Sequence, residues 1–145
     1  MSTTPTQTTT QSYQALRVLL TVMAVVAALV GVSVLFAPQW VFTLSGAPGI
    51  AAQPLLLLFA QAFGAVAIPL AYLLFRASRD PVRYVAIIDA AVIGFAIVVP
   101  LEVYSILAGG LTQYYAPWLL WTSVIIRACL GITLFALRPR GSASA

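Results

Sequence analysis

Residues 54–108 read PLLLLFAQAFGAVAIPLAYLLF, then RASRDPVR, then YVAIIDAAVIGFAIVVPLEVYSILA. Both apolar stretches are about as long as the ~20 residues an α-helix needs to cross ~30 Å of hydrocarbon. Neither alternates apolar with polar residues, so helices are expected rather than the strands of a barrel. Between them, Asp80-Pro81 makes a turn and puts proline into the first turn of the helix that follows. The stretch therefore reads as two membrane-crossing helices joined by a tight hairpin that carries Arg76, Arg79 and Arg83.

Outward from this hairpin lie two more apolar runs, Val18 to Ala37 and Pro117 to Leu137. The expected spans are thus about 18–37, 54–75, 84–108 and 117–137, within a helical domain of residues 17–138. The chain of 145 residues is 62% hydrophobic and 7% charged, against about half and a quarter in soluble domains. Its mean hydropathy of +1.04 comes from these runs. The first run outlasts the ~7–15-residue core of a signal peptide, so it is expected to span as well.

Residues 1–16, rich in Thr and Gln and uncharged, read as a disordered polar tail, and residues 139–145 as a second tail. The connection Pro38 to Gln53 has no charge and holds Trp40, Phe42, Gly46, Pro48 and Gly49, so it is expected in the membrane interface. Gly109 to Ala116 is also uncharged, and Tyr114, Tyr115, Trp118 and Trp121 form an aromatic belt beside it.

The arginines give the orientation. Arg17, Arg76, Arg79, Arg83, Arg138 and Arg140 fall on one side of four crossings and none falls in the loops of the other. The excess of positive charge on cytoplasmic loops then places both termini in the cytoplasm. The expected fold is an all-α integral membrane four-helix bundle, up-down-up-down, in the inner (plasma) membrane of a bacterium. A net charge of +4 does not point to nucleic acid, because the arginines sit at helix ends rather than along a basic stripe with stacking aromatics.

No histidine and no lysine occur, which removes the usual general base, the imidazole ligand of haem and the Schiff-base amine. Cys129 is the lone cysteine, so neither an internal disulfide nor a thiolate metal cluster can form. The carboxylates Asp89 and Glu102 are too few and too widely spaced for the familiar metal patterns. No catalytic, metal or cofactor-binding residues are therefore assigned, and the chain reads as a non-enzyme.

What remains is an intramembrane polar set: Glu102, Arg127, Asp89, Gln61 and, at the end of the first span, Arg17. A charge at the bilayer centre costs between ~3 and more than 10 kcal/mol, so such groups normally turn inward and find partners. Depth alone does not choose between Asp89 and Glu102 as the partner of Arg127. Thirteen residues separate the two carboxylates, about 140° around a helix. The face of Glu102 carries Ala91, Gly94, Ser105 and Gly109, small residues that let helices approach. Glu102 is therefore paired with Arg127, which is expected to be buried between helices. Asp89 is paired with Arg17, and Gln61, level with Glu102, is its expected hydrogen-bonding companion. The spacings Ala24/Ala28, Ala27/Gly31 and Ala60/Gly64 read as close packing within the bundle.

Several punctuating residues resemble a known group. A first helix ending in Ala37-Pro38, a loop with Leu44-Ser45-Gly46, small residues around Gln61 to Gly64, and Arg79-Asp80-Pro81-Val82-Arg83-Tyr84 at a short turn look like the DoxX-like and BphX-like small four-helix bacterial membrane proteins. The match spans about residues 15–138. The functions of these groups are largely unassigned; some relatives are associated with quinol oxidases or sulfur metabolism, and the resemblance implies a quinone- or lipid-binding membrane module as an alternative reading. The pattern carries its basic residue in the third helix and its acidic one in the fourth, whereas here Asp89 and Glu102 lie in the third and Arg127 in the fourth.

The leading functional expectation is a non-catalytic accessory or assembly subunit of a larger membrane complex. Its partners would be membrane lipid and other membrane subunits or further copies of itself. The alternatives are a small transporter and a quinone- or lipid-binding module. Four-helix multidrug exporters place a glutamate in the first helix, and Val18 to Ala37 has no acidic residue.

Overall fold

The computed structural model describes residues 6–139, with side-chain surroundings from Tyr13 onward apart from Ala51. The chain is all-helical, 85% helix with no strand among the described residues. In order it forms α1 (Thr6–Phe36), α2 (Pro38–Leu44), α3 (Pro48–Ala51), α4 (Pro54–Arg79), α5 (Val85–Leu107), a 3₁₀ turn (Leu111–Gln113) and α6 (Pro117–Leu137). Four helices are long and apolar enough to cross a membrane: α1 from Tyr13, α4, α5 and α6.

Proline sets most of these boundaries. Helices α2, α3, α4 and α6 open on Pro38, Pro48, Pro54 and Pro117. A first-turn residue has no helical acceptor for its N–H, so proline loses nothing there. Its ring also drives the preceding residue out of the helical region. Ala37, Ala47, Gln53 and Ala116 accordingly have ψ of 51°, 55°, 106° and 132°. The connection from α1 to α4 is thus broken into two short helices, and Gly46, at φ +80°, supplies the left-handed residue that turns the chain after α2.

The hairpin after α4 is built differently. Asp80 leaves the helical region, and its Oδ1 accepts the Arg83 backbone N–H at 3.1 Å, closing the turn over a fully buried Pro81. Arg76 and Arg79 occupy the last turn of α4, where unpaired carbonyls carry partial negative charge. Arg76 Nη2 donates to the Tyr84 hydroxyl oxygen at 2.8 Å and so ties the end of α4 to the start of α5.

The expected polar tail over residues 1–16 needs correcting. The helix of the first span continues back to Thr6, and Leu16 is fully buried with Leu20 one turn later. Leu16 extends the buried stripe of the span by a turn, and Thr and Gln do not break a helix as proline or glycine would. Residues 1–5 and 140–145, including Arg140 of the second expected tail, lie outside the described residues.

The spanning helices pack mainly as two pairs, α1 with α4 and α5 with α6, and contacts between the pairs are sparse. The first pair is joined by close backbone approach. A Cβ on Gly64 would lie 2.7 Å from the Gly31 carbonyl oxygen and 2.8 Å from the Leu35 nitrogen, so neither helix could come this near with a side chain at that point. At the end bearing the arginines all four helices meet: Leu16, Leu20 and Ala24 of α1, Leu74 and Ala77 of α4, Ile88 of α5 and Leu134 of α6 form one cluster. At the opposite, aromatic end a second cluster joins α5 and α6 through Ile106, Leu120 and Val124. Outward faces are apolar, with Leu29, Phe59, Val66, Ile97, Ile125 and Ile132 all exposed. An apolar surface this continuous suits hydrocarbon as its solvent, and the four spans make the chain a multi-pass membrane protein.

Candidate functional site

The seam between α5 and α6 holds the polar chemistry of the spans. Along α5, Ile88, Val92, Phe95, Val99, Glu102 and Ile106 recur at alternating steps of four and three. Along α6, Leu120, Val124, Arg127, Gly131 and Leu134 do the same, and Arg138 is one step further, just past the helix end. This is the spacing by which two helices keep one stripe against a partner. Ile106 packs with Leu120 and Val124, Phe95 meets Gly131 so closely that a Cβ there would lie 3.0 Å from its own, and Ile88 meets Leu134. Glu102 and Arg127 thus stand where the pattern calls for apolar residues.

Arg127 Nη1 lies 2.6 Å from Glu102 Oε2. The carboxylate side chain is 11% exposed and the guanidinium side chain 42%. Glu102 Oε2 is wholly buried, yet no donor reaches it in hydrogen-bonding alignment, so the contact with Arg127 is one of charge at close range. Pro100, two residues before Glu102, lies inside α5. Its missing N–H leaves the carbonyl of Ala96 without its usual helical donor. Arg127 is ten residues from either end of α6, about 15 Å along the axis.

Beside this pair opens a groove of about 510 Å³, lined by Glu102, Arg127, Thr122, Ser123, Tyr115 and the apolar Leu111, Leu119, Leu120 and Ile126. Ser123 is one turn before Arg127, so both project to the same side of α6. Thr122 donates its hydroxyl to the Trp118 carbonyl at 2.7 Å. Tyr115 stands at the mouth, and burial pushes its phenol up from the ordinary value, opposed by a smaller hydrogen-bonding effect from Ser45. It therefore keeps its proton across the physiological range and remains a donor. Ser45 follows α2, so the two connections of the aromatic end approach each other at this mouth.

The other expected partners are distributed differently. Asp89 Oδ1 pairs with Arg138 Nη1 at 3.2 Å, not with Arg17, which is exposed on α1. Arg138 directly follows α6, and the seam register carries it past the last apolar residue to the level of Asp89. Its guanidinium also stacks 4.9 Å over the Phe135 ring. Gln61 does not reach Glu102. Its Nε2 donates to the Leu35 carbonyl at 3.3 Å, across the close approach of α1 and α4. Leu35 is in the last turn of α1, where carbonyls lack a helical donor, so Gln61 caps that helix from a neighbour. Arg127, expected buried, has a carboxylate partner but is partly open to the groove.

Thr122, Ser123 and Tyr115 were absent from the sequence-based set. Ser123 could have been found from its position one turn from Arg127; Tyr115 could not, since its approach depends on how the connection folds back. No group of three or more metal-ligating side chains occurs among the described residues. No family model, curated protein or solved structure matches the chain.

Proposed function

We propose that this chain is a non-catalytic plasma-membrane protein, with both termini in the cytoplasm, that serves as a small accessory or assembly subunit of a larger membrane complex. The observation that carries the reading is the division of the fold into two helix pairs that meet at one end, leaving apolar helix faces uncovered at the other. Membrane helices associate by packing and by polar contacts between such faces rather than by expulsion of water. The spans are joined by the stretches 37–53, 80–84 and 108–116, which offer little surface for chemistry outside the bilayer.

An up-down-up-down order is supported by two registers. Gly31 faces Gly64 while Ala24 shares a groove with Ala71, and Glu102 faces Arg127 while Asp89 faces Arg138. In both pairs the numbering runs in opposite directions along the contact. The orientation rests on the arginines at the end formed by Arg17, the Arg76–Arg83 turn and Arg138.

Gentle detergent extraction followed by native mass measurement tests the subunit role. A stoichiometric complex with other membrane chains is expected, and a monodisperse monomer recovered alone would refute it. Cysteine replacements test the orientation. Ser45→Cys and Gln113→Cys should be labelled from outside the cell and Ser142→Cys from the cytoplasm; the reverse pattern inverts the topology.

A further inference from the structure

Arg127 presents a guanidinium that its carboxylate partner uses through a single contact; the side chain is 42% exposed and lines a groove of about 510 Å³. That volume is within the ~300–1,000 Å³ of small-molecule sites. The walls are hydrocarbon: Leu111, Leu119, Leu120 and Ile126. The polar groups gather at the Arg127 level and at the mouth, where Tyr115 keeps a phenolic donor. A guanidinium presents five N–H donors in a planar fork suited to a carboxylate.

The charge balance restricts what can enter. Glu102 and Arg127 together are neutral, and an added anion would leave one net negative charge inside the span, which is costly there. A carboxylic acid that enters with its proton avoids this cost. Glu102, whose Oε2 is buried without an aligned donor, is placed to take that proton. The titratable groups facing Glu102 across the groove are Arg127 from α6 and Tyr115 from the connection before it; α1 and α4 contribute none of the lining.

We propose that this groove binds a single-chain amphiphile with a carboxylic acid head, such as a long-chain fatty acid. The acid, R–COOH, gives its proton to the Glu102 carboxylate, and the resulting R–COO⁻ pairs with the Arg127 guanidinium in place of Glu102. The O–H bond of the ligand breaks, an O–H bond forms on Glu102, and the net charge of the site stays zero. The acyl chain lies along Leu119, Leu120 and Ile126. A phospholipid fits less well, because its phosphate is held at headgroup level whereas Arg127 is about 15 Å from the helix ends.

The test is binding of radiolabelled oleic acid to the purified full chain in phosphatidylcholine nanodiscs, with oleyl alcohol and phosphatidylglycerol as competitors. Oleic acid should bind saturably, and oleyl alcohol should compete at least tenfold more weakly. Wherever the free ligand is ionised, affinity should fall about tenfold per pH unit, since one proton is taken up with each ligand bound. Glu102→Gln should bind oleate with that pH dependence removed. Arg127→Gln should weaken binding at least tenfold. Should that single variant misfold, the Glu102→Gln/Arg127→Gln pair keeps a neutral hydrogen-bonding couple on the seam and should fold without binding oleate. Equal competition by oleyl alcohol, full displacement by phosphatidylglycerol, unchanged binding in the double variant, or Glu102→Gln retaining the wild-type pH profile would each overturn the proposal.

Discussion

The two helix pairs solve the same packing problem by opposite means. Helices α1 and α4 come together through absence: Gly31 and Gly64 remove side chains at the crossing, and the neutral Gln61 amide donates to the part-buried carbonyl of Leu35. Helices α5 and α6 come together through charge, with Glu102–Arg127 inside the seam and Asp89–Arg138 at its arginine end. Small residues give close contact with no preference for partner beyond shape. Ion pairs in hydrocarbon fix the register strictly, because a slipped register strands a charge. The first pair is thus held by shape, and the second by charges that fix one register.

The sharpest way to break this contrast is to remove half of the internal ion pair. Arg127→Leu leaves Glu102 mostly buried without its partner, and losing one member of such a pair typically costs ~3–5 kcal/mol. The value here belongs at the lower end, about 3 kcal/mol, because the groove admits some relaxation around the half-open site. Replacing both by leucine restores an apolar seam and should recover most of the loss. Unfolding in mixed detergent micelles measures both. Equal losses in the single and double variants would show that Arg127 acts through packing instead of charge.

On the other pair, Gly64→Ala should cost about 1–3 kcal/mol, the usual range for overpacking. Its new methyl would meet backbone atoms of Gly31 and Leu35 rather than a flexible side chain. Gly94→Ala in α5 is the matched control, since a Cβ there meets nothing within 4 Å. It should be neutral or slightly stabilising, because alanine favours the helix by up to ~1 kcal/mol. If the two substitutions behave alike, close approach does not hold the first pair together.

Smaller effects are expected from the remaining polar contacts. Gln61→Leu removes the donor to Leu35 and should cost about 1 kcal/mol, the net worth of an ordinary hydrogen bond. Asp89→Asn should cost less, within ~0–1 kcal/mol, because Asp89 and Arg138 are each about two-fifths exposed. The seam contrast predicts that Glu102→Gln is felt more strongly than Asp89→Asn in the same assay.

These contacts also show what the linear sequence carries. The four spans were legible because length and apolarity alone define a crossing, and the proline-led starts at Pro54 and Pro117 follow from local sterics. The juxtaposition of Glu102 and Arg127 could be read from helical faces and depth. The partner of Asp89 could not: hydropathy ends the last span at Leu137, but an arginine just beyond it, on a long stem, is still within reach of a carboxylate inside. Gln61 was misplaced because level within the membrane does not say which helix lies alongside. Leu16 was assigned to a tail because its neighbours are polar, although it is one turn before Leu20 on the same face. The groove depends on how the connections fold over the aromatic end, which no periodicity encodes.

The smallest effect concerns the hairpin that links the two pairs. The Arg76 guanidinium, hydrogen-bonded to the Tyr84 phenol at 2.8 Å, holds that phenol below its ordinary value by stabilising the phenolate. Arg83 lies 5.7 Å from the ring centroid and acts in the same direction. A depressed folded-state value contributes stability that is fully present above the unfolded value, ~10 for tyrosine, and is lost as pH falls through the folded value. At neutral pH the phenol is protonated in both states, so this coupling contributes nothing there and appears under alkaline conditions alone. Phenolate absorbance of the intact chain, with Tyr84→Phe subtracted, should show Tyr84 ionising below the ordinary tyrosine value of ~10. Arg76→Gln should return it towards ~10. An unchanged titration in Arg76→Gln would mean that the contact between the end of α4 and the start of α5 does not persist, and that the turn alone joins the two pairs at this point.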